Sequence, residues 1–212
     1  TPRTQSSLLE CMEGRQVTID GVTHALESPF IVVATQNPID NQGTFPLPEA
    51  QMDRFLLRIR IGYPTAEQSV DILRRYRDAS PLEALQAVAS GGEVAEAQRT
   101  AAGLAADDEL LLYMVRLAEA SRRHPDVVLG ISPRGIGALL RASQAYALVQ
   151  GRDFVTPDDV KAVAVPVLAH RLMLAHTARV RDDRAEEIVR RLLAETPVPT
   201  EALPRVWKGL FD

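Results

Sequence analysis

Cysteine is almost absent from this chain of 212 residues: Cys11 is the only one. A lone thiol cannot close an internal disulfide, which suits a reducing cytoplasmic setting, and on a helix it reads as a small buried apolar residue rather than a nucleophile. No apolar run approaches the roughly 20 residues that a bilayer-spanning helix needs, and no signal peptide is expected. Lysine and arginine number 24 against 28 acids, a net charge of -4, and they form no basic block. A nucleic-acid partner is therefore not expected, since phosphate backbones are met by clustered cations. The histidines include no His-Glu-x-x-His and no second ligand at metal spacing, so they read as ordinary surface or core residues. Equally absent is a Gly-x-x-x-x-Gly-Lys-Ser/Thr string, in which backbone amides cradle phosphates, lysine neutralises them and the hydroxyl holds magnesium. The chain opens on Thr1 rather than methionine, directly in a helix cap, and so reads as part of something longer.

What is present is a hydrophobic content of 46%, enough for one substantial core or two small ones. The run Phe30-Ile31-Val32-Val33-Ala34 is short, unbroken and rich in β-branched residues, the pattern of a strand buried on both faces of a parallel sheet. Thr35, Gln36 and Asn37 follow at its carboxyl end, the edge where open α/β sheets bind ligands, and Pro38 stops the ladder. An uncharged amide there can orient a water beside a phosphate without adding charge of its own. After Pro48 a short helical turn carries Asp53-Arg54-Phe55, with the arginine placed to reach a neighbouring subunit. Taken singly, Asn37 reads as the cap of a turn and Arg54 as a solvated surface arginine.

Elsewhere the local signals are orderly. Thr1-Pro2 fits a helix start, and Leu8, Leu9 and Met12 form a stripe that ends at Gly14. Gln16–Ile19 and Val22–Leu26 flank Asp20-Gly21, a hairpin signal because the type I′ turn needs positive φ at both central residues. Leu57, Ile59 and Ile61 alternate with arginines as in a half-exposed strand, and Gly62-Tyr63-Pro64 ends it. Thr65-Ala66-Glu67-Gln68 is a capping box that opens a helix with Val70, Leu73 and Tyr76 on one face. Nothing downstream reads as a strand, which places a boundary near Tyr63 between an α/β part and an all-helical part. Residues 81–103, with Gly91-Gly92 among alanines, read as a loosely packed linker with a short helix. Leu110, Leu111, Met114, Leu117 and Ala118 mark an amphipathic helix, and Ser132-Pro133 starts another with a core face of Ile136, Leu139, Leu140 and Tyr146. That start holds Arg134 in its first turn, where the guanidinium and the helix dipole favour one anion. Thr156-Pro157-Asp158-Asp159 opens a helix with Val163, Val167 and Leu168 inward, and residues 182–193 form a last charged helix before an extended tail.

Read together, the strings ATQNP, GTFPLPEAQMDRF and SPRG resemble the AAA+ ATPases of the MoxR family in order and spacing, from Thr1 to about Pro199. The resemblance implies a fold, an α/β part followed by an all-α part: residues 1–63 as an incomplete P-loop NTPase parallel-sheet domain, and residues 64–212 as a helical-bundle lid. It implies Asn37 as the sensor 1 asparagine, Arg54 as the arginine finger offered to the adjacent subunit, and Arg134 as the sensor 2 arginine. It makes the hairpin at Asp20-Gly21 the insertion before sensor 1, which points toward the pore of a ring; read from the residues alone, the hairpin guards a sheet edge. ATP and Mg2+ are the implied cofactors, although the P-loop and the acidic pair that would grip them are not in the chain. The implied partners are further copies in a ring, hexameric in expectation, a von Willebrand factor A domain protein and client proteins. The alternatives are a magnesium-chelatase-like AAA+ subunit and a non-enzymatic adaptor or degenerate ring component that keeps its arginines to serve a partner's site.

Overall fold

The computed structural model describes residues 10–12, 14–36, 49–76, 82, 85–175 and 183–199. Asn37, the helix start at Thr1-Pro2 and the tail from residue 200 onward lie outside the described residues. The hairpin forms as its turn chemistry requires: β1 (Gln16–Ile19) pairs antiparallel with β2 (Val22–Ala25), Thr18 opposite Thr23, and Asp20 and Gly21 take φ of 51° and 79°. A hydrogen bond from the Thr18 hydroxyl to Glu10 Oε1, 2.6 Å, ties the hairpin to the preceding segment. A single helical turn, α1 (Glu49–Met52), precedes the Asp53-Arg54-Phe55 bend, and α2 (Ala66–Tyr76) starts at the expected capping box. There the Thr65 amide donates to Gln68 Oε1 at 2.9 Å and the Gln68 amide to the Thr65 hydroxyl at 3.3 Å.

The runs Phe30–Ala34 and Leu57–Ile61, expected as strands, form no strand and pair with none among the described residues. Ile31, Val33, Ile59 and Ile61 stand exposed. A strand exists only through a neighbour's ladder, so an apolar run states a need for one without supplying it. The Arg58 amide instead donates to the carbonyl of Pro166, at 2.8 Å.

From Ser90 onward the chain closes on itself. Helices α3 (Gly91–Ala102), α4 (Asp108–Arg123), α5 (Pro133–Val149), α6 (Pro157–Leu168) and α7 (Arg184–Glu195) pack around one core, with α6 running into a 3₁₀ turn, Ala169–Arg171. Every buried hydrophobic residue among the described residues lies between Leu104 and Leu192, with Tyr113, Met114, Leu117, Ile131, Leu139 and Val160 at the centre. Burial at helical spacing explains the cluster, since each of these stripes finds another to face.

The structure differs from the sequence expectation in three further places. The glycine pair expected in a linker opens α3, because Ser90 caps it: the Ser90 amide donates to Glu93 Oε2 at 2.7 Å and the Glu93 amide to the Ser90 hydroxyl at 3.2 Å. Gln144 Nε2 of α5 then fastens its end by donating to the Leu104 carbonyl at 2.9 Å. Two short strands do occur downstream, β3 (Val127–Leu129) against β4 (Met173–Leu174), too brief to show a period of two. Tyr146, expected inward, is exposed, and Ala142, Ser143 and Ala147 take the core face of α5.

Candidate functional site

The Asp53-Arg54-Phe55 bend is shaped first by local bonds: the Arg54 amide donates to the Gln51 carbonyl and the Phe55 amide to the Met52 carbonyl, each at 3.2 Å. These close a tight turn whose carbonyls at Asp53, Phe55 and Leu56 accept from elsewhere in the chain. Arg171, at the end of the 3₁₀ turn after α6, collects them. Its Nη2 donates to the Phe55 carbonyl at 2.6 Å and the Leu56 carbonyl at 3.3 Å, and its Nη1 donates to the Asp53 carbonyl and, at 2.7 Å, to Asp53 Oδ1. Nε is anchored on the Val167 carbonyl, 2.8 Å away. The Arg171 side chain is 1% exposed, and a buried guanidinium is tolerated only where its donors are met in this way.

Asp53 has a second partner. The Ser132 hydroxyl donates to Asp53 Oδ2 at 3.4 Å while accepting the Gly135 amide at 3.1 Å as the cap of α5. A Cβ on Gly135 would sit 2.9 Å from Ile131 Cγ2 and 3.2 Å from Arg171 Cδ, so the helix start rests directly on the arginine stem. The sequence Ser132-Pro133-Arg134-Gly135 thus carries a cap, a helix-starting proline and a glycine that admits Arg171, all in one turn. Arg134 projects from this turn and is exposed, and Arg54 in the bend is half-buried. Asp53, which precedes Arg54, and Ser132, two residues before Arg134, are thereby bonded to each other.

His170 reinforces the same junction, its Nε2 lying 3.2 Å from the Phe55 carbonyl. A carbonyl only accepts, so Nε2 carries the proton. Burial, and then the charge of Arg171, hold the pKa of His170 below its ordinary value and keep the ring neutral. Beside it opens a cavity of about 300 Å³ between Arg58–Arg60 and the end of α6, floored by Val165, Pro166 and Ala169 and edged by Glu186, to which Arg60 is paired at 2.9 Å.

Arg171 and its junction with Asp53 escape a reading of the sequence by motif. A signal existed: Ala164, Val167, Leu168 and Arg171 fall on one helical face, so a charge stands at a core position and must find an acceptor. Which acceptor it finds is not local information. For a nucleotide the residues fit in part: an exposed arginine at the positive end of a capped helix can meet a phosphate. No group of three His, Cys, Asp or Glu among the described residues could by itself hold a metal ion. No helix among them is long and apolar enough to cross a membrane.

The bend after α1 is thus locked against the capped start of α5. Residues 1–57 match the family described as ATPase family associated with various cellular activities (AAA), and residues 119–192 match the AAA lid domain. The chain is 45% identical to the YeaC protein of Bacillus subtilis over 95% of its own length and 63% of that protein's. It is 40% identical to Chaperone MoxR1 of Mycobacterium tuberculosis over 96% of its length and 55% of that protein's. It superposes on the crystal structure of a candidate ATPase from Cytophaga hutchinsonii with a TM-score of 0.87 at 32% identity, covering 94% of this chain and 63% of that one. Over nearly its whole length the chain is similar to the AAA+ ATPases of the MoxR type, and its fold is an α/β part followed by an all-α lid. It spans between 55% and 63% of the length of these relatives.

Proposed function

We propose that the chain is the sensing and subunit-facing part of a MoxR-type ATPase, which couples ATP binding and hydrolysis in a hexameric ring to the remodelling or maturation of client proteins, with a von Willebrand factor A domain protein as partner. The observation that carries this reading is the relay from the Arg54 bend through Asp53 and Ser132 to the helix start of Arg134. Residues up to Tyr63 contribute the bend and residues from Pro64 the lid. In this reading Asn37 orients the attacking water, Arg54 meets charge that develops on the neighbouring subunit's γ-phosphate, and Arg134 contacts the nucleotide of its own subunit. ATP would supply the phosphoryl group and Mg2+ its charge neutralisation; the P-loop and acidic pair that would grip them are not among the residues of this chain.

The test uses the longer protein that carries those motifs. Arg54→Ala should lower turnover by about 10³–10⁵ while nucleotide binding is kept, because an arginine finger acts on the transition state. Arg134→Ala should weaken nucleotide affinity as well. Mixing Arg54→Ala subunits with subunits lacking the P-loop lysine should restore part of the activity, since some interfaces then hold a complete site. Mixed rings that form and stay inactive would overturn the assignment of Arg54 to the neighbouring site.

A further inference from the structure

Arg54 is held by its flanks. The carbonyl before it, of Asp53, and the carbonyl after it, of Phe55, are both gripped by the Arg171 guanidinium, and His170 adds a bond to the second. With the backbone pinned on both sides, the direction in which the Arg54 side chain leaves the bend follows from where Arg171 stands. Arg171 in turn lies beneath Gly135, one residue past Arg134, and shares Asp53 with Ser132, the cap of that helix. A planar fork with donors on three nitrogens can span carbonyls on both sides of a residue, whereas a lysine ammonium at the same place presents one nitrogen.

From this we infer that Arg171 is a positioning residue: it fixes the Arg54 bend on the Arg134 helix start as one rigid unit, so that a change in lid angle at Arg134 is carried to Arg54. The coupling half rests on the functional reading above, while the rigid unit is a property of this chain alone. Coupling of this kind needs a shared element whose position both sites bias, and a guanidinium touching both is such an element.

The rigid unit is tested by amide hydrogen exchange on the full 212-residue chain, read at Arg54, Phe55 and Arg58, whose amides are bonded within the bend or across to Pro166. Arg171→Lys should speed exchange at these amides by about tenfold or more and leave α4 unchanged, because local opening need not follow global unfolding. Unchanged amides at the bend, or one common factor across the whole chain, would overturn the positioning role. Should Arg171→Lys fail to fold, Asp53→Asn keeps the shape of the bend and removes one acceptor charge; it should give the same local pattern, and a uniform pattern would again overturn it. The coupling half is read in the longer ATPase, where Arg171→Lys should lower kcat by about tenfold with KM for ATP held within about threefold. Full kcat in an active protein would overturn the coupling. A wild-type protein without ATPase activity would refute the functional reading instead, and the exchange pattern alone would then decide the positioning role.

Discussion

Helices α2 and α7 are near twins in sequence character, 11 and 12 residues long, each with one apolar stripe and charged flanks. Their fates differ. The stripe of α7 buries Ile188, Val189 and Leu192 against α4 and α6, whereas that of α2 leaves Val70, Leu73 and Tyr76 exposed. Capping does not separate them, because α2 has the stronger start: the Thr65 and Gln68 box is complete, while Asp183 makes no side-chain cap. Local propensity therefore makes both helices, and only a facing stripe makes one of them part of a core. The contrast extends to the whole chain, since the residues up to Tyr76 obey the same local rules as the lid, yet none of those described is fully buried.

The comparison is broken most forcefully in the lid. Ile188→Ala removes a side chain that is 1% exposed and should cost about 3 kcal/mol in chemical denaturation, as a cavity in a close-packed core does. A smaller loss is expected at Asp159, which is 1% exposed, accepts the Thr156 amide at 2.8 Å and pairs with Arg152 across the start of α6. Asp159→Ala removes that cap and should cost about 2 kcal/mol by the same measurement.

Acid should act through the junction before it acts through the cap. His170 has a lowered folded pKa, through burial first and then the Arg171 charge, with Arg58 adding to it, so the unfolded chain takes up a proton that the folded chain refuses. The stability it contributes is present above its unfolded pKa of about 6.5 and is lost as pH falls below it, by at most about 1.4 kcal/mol per pH unit. Asp159 responds only at lower pH. Burial alone would raise its pKa, but the bonds from Arg152 and Thr156 outweigh burial and lower it, so its contribution is present above the ordinary carboxylate range and lost on further acidification. Unfolding midpoints at pH 7.5 and 5.5 check the first step, which His170→Gln should remove.

The smallest effect sharpens the comparison. Leu73→Ala on α2 removes a side chain that is 71% exposed and should change stability by less than about 0.5 kcal/mol. A cost near that of Ile188→Ala would mean that the stripe of α2 is covered in solution, and sedimentation would then show self-association.

Much of this was legible in the residues. The Asp20-Gly21 turn, the Thr65, Ser132 and Thr156 caps and the inward faces of α4 and α6 all form as expected, because each is settled within one turn of chain. The start of α3 was hidden by its glycines, whose weak propensity concealed a strong Ser90 and Glu93 box. The runs around Val33 and Ile59 were legible as strand-like, but the ladder that makes a strand lies in another segment.

The sequence by itself determined where helices start, where the hairpin turns and which family's strings the chain carries, since all of these depend on neighbours a few residues apart. Only the tertiary structure decided that Arg171 is buried, that its acceptors belong to a bend 118 residues earlier, and that Asp53 also takes the hydroxyl capping the helix of Arg134. The physical reason is that a guanidinium at a core position must be satisfied, a demand visible in sequence, whereas the acceptors that satisfy it are chosen by which elements the packed lid brings within hydrogen-bond reach.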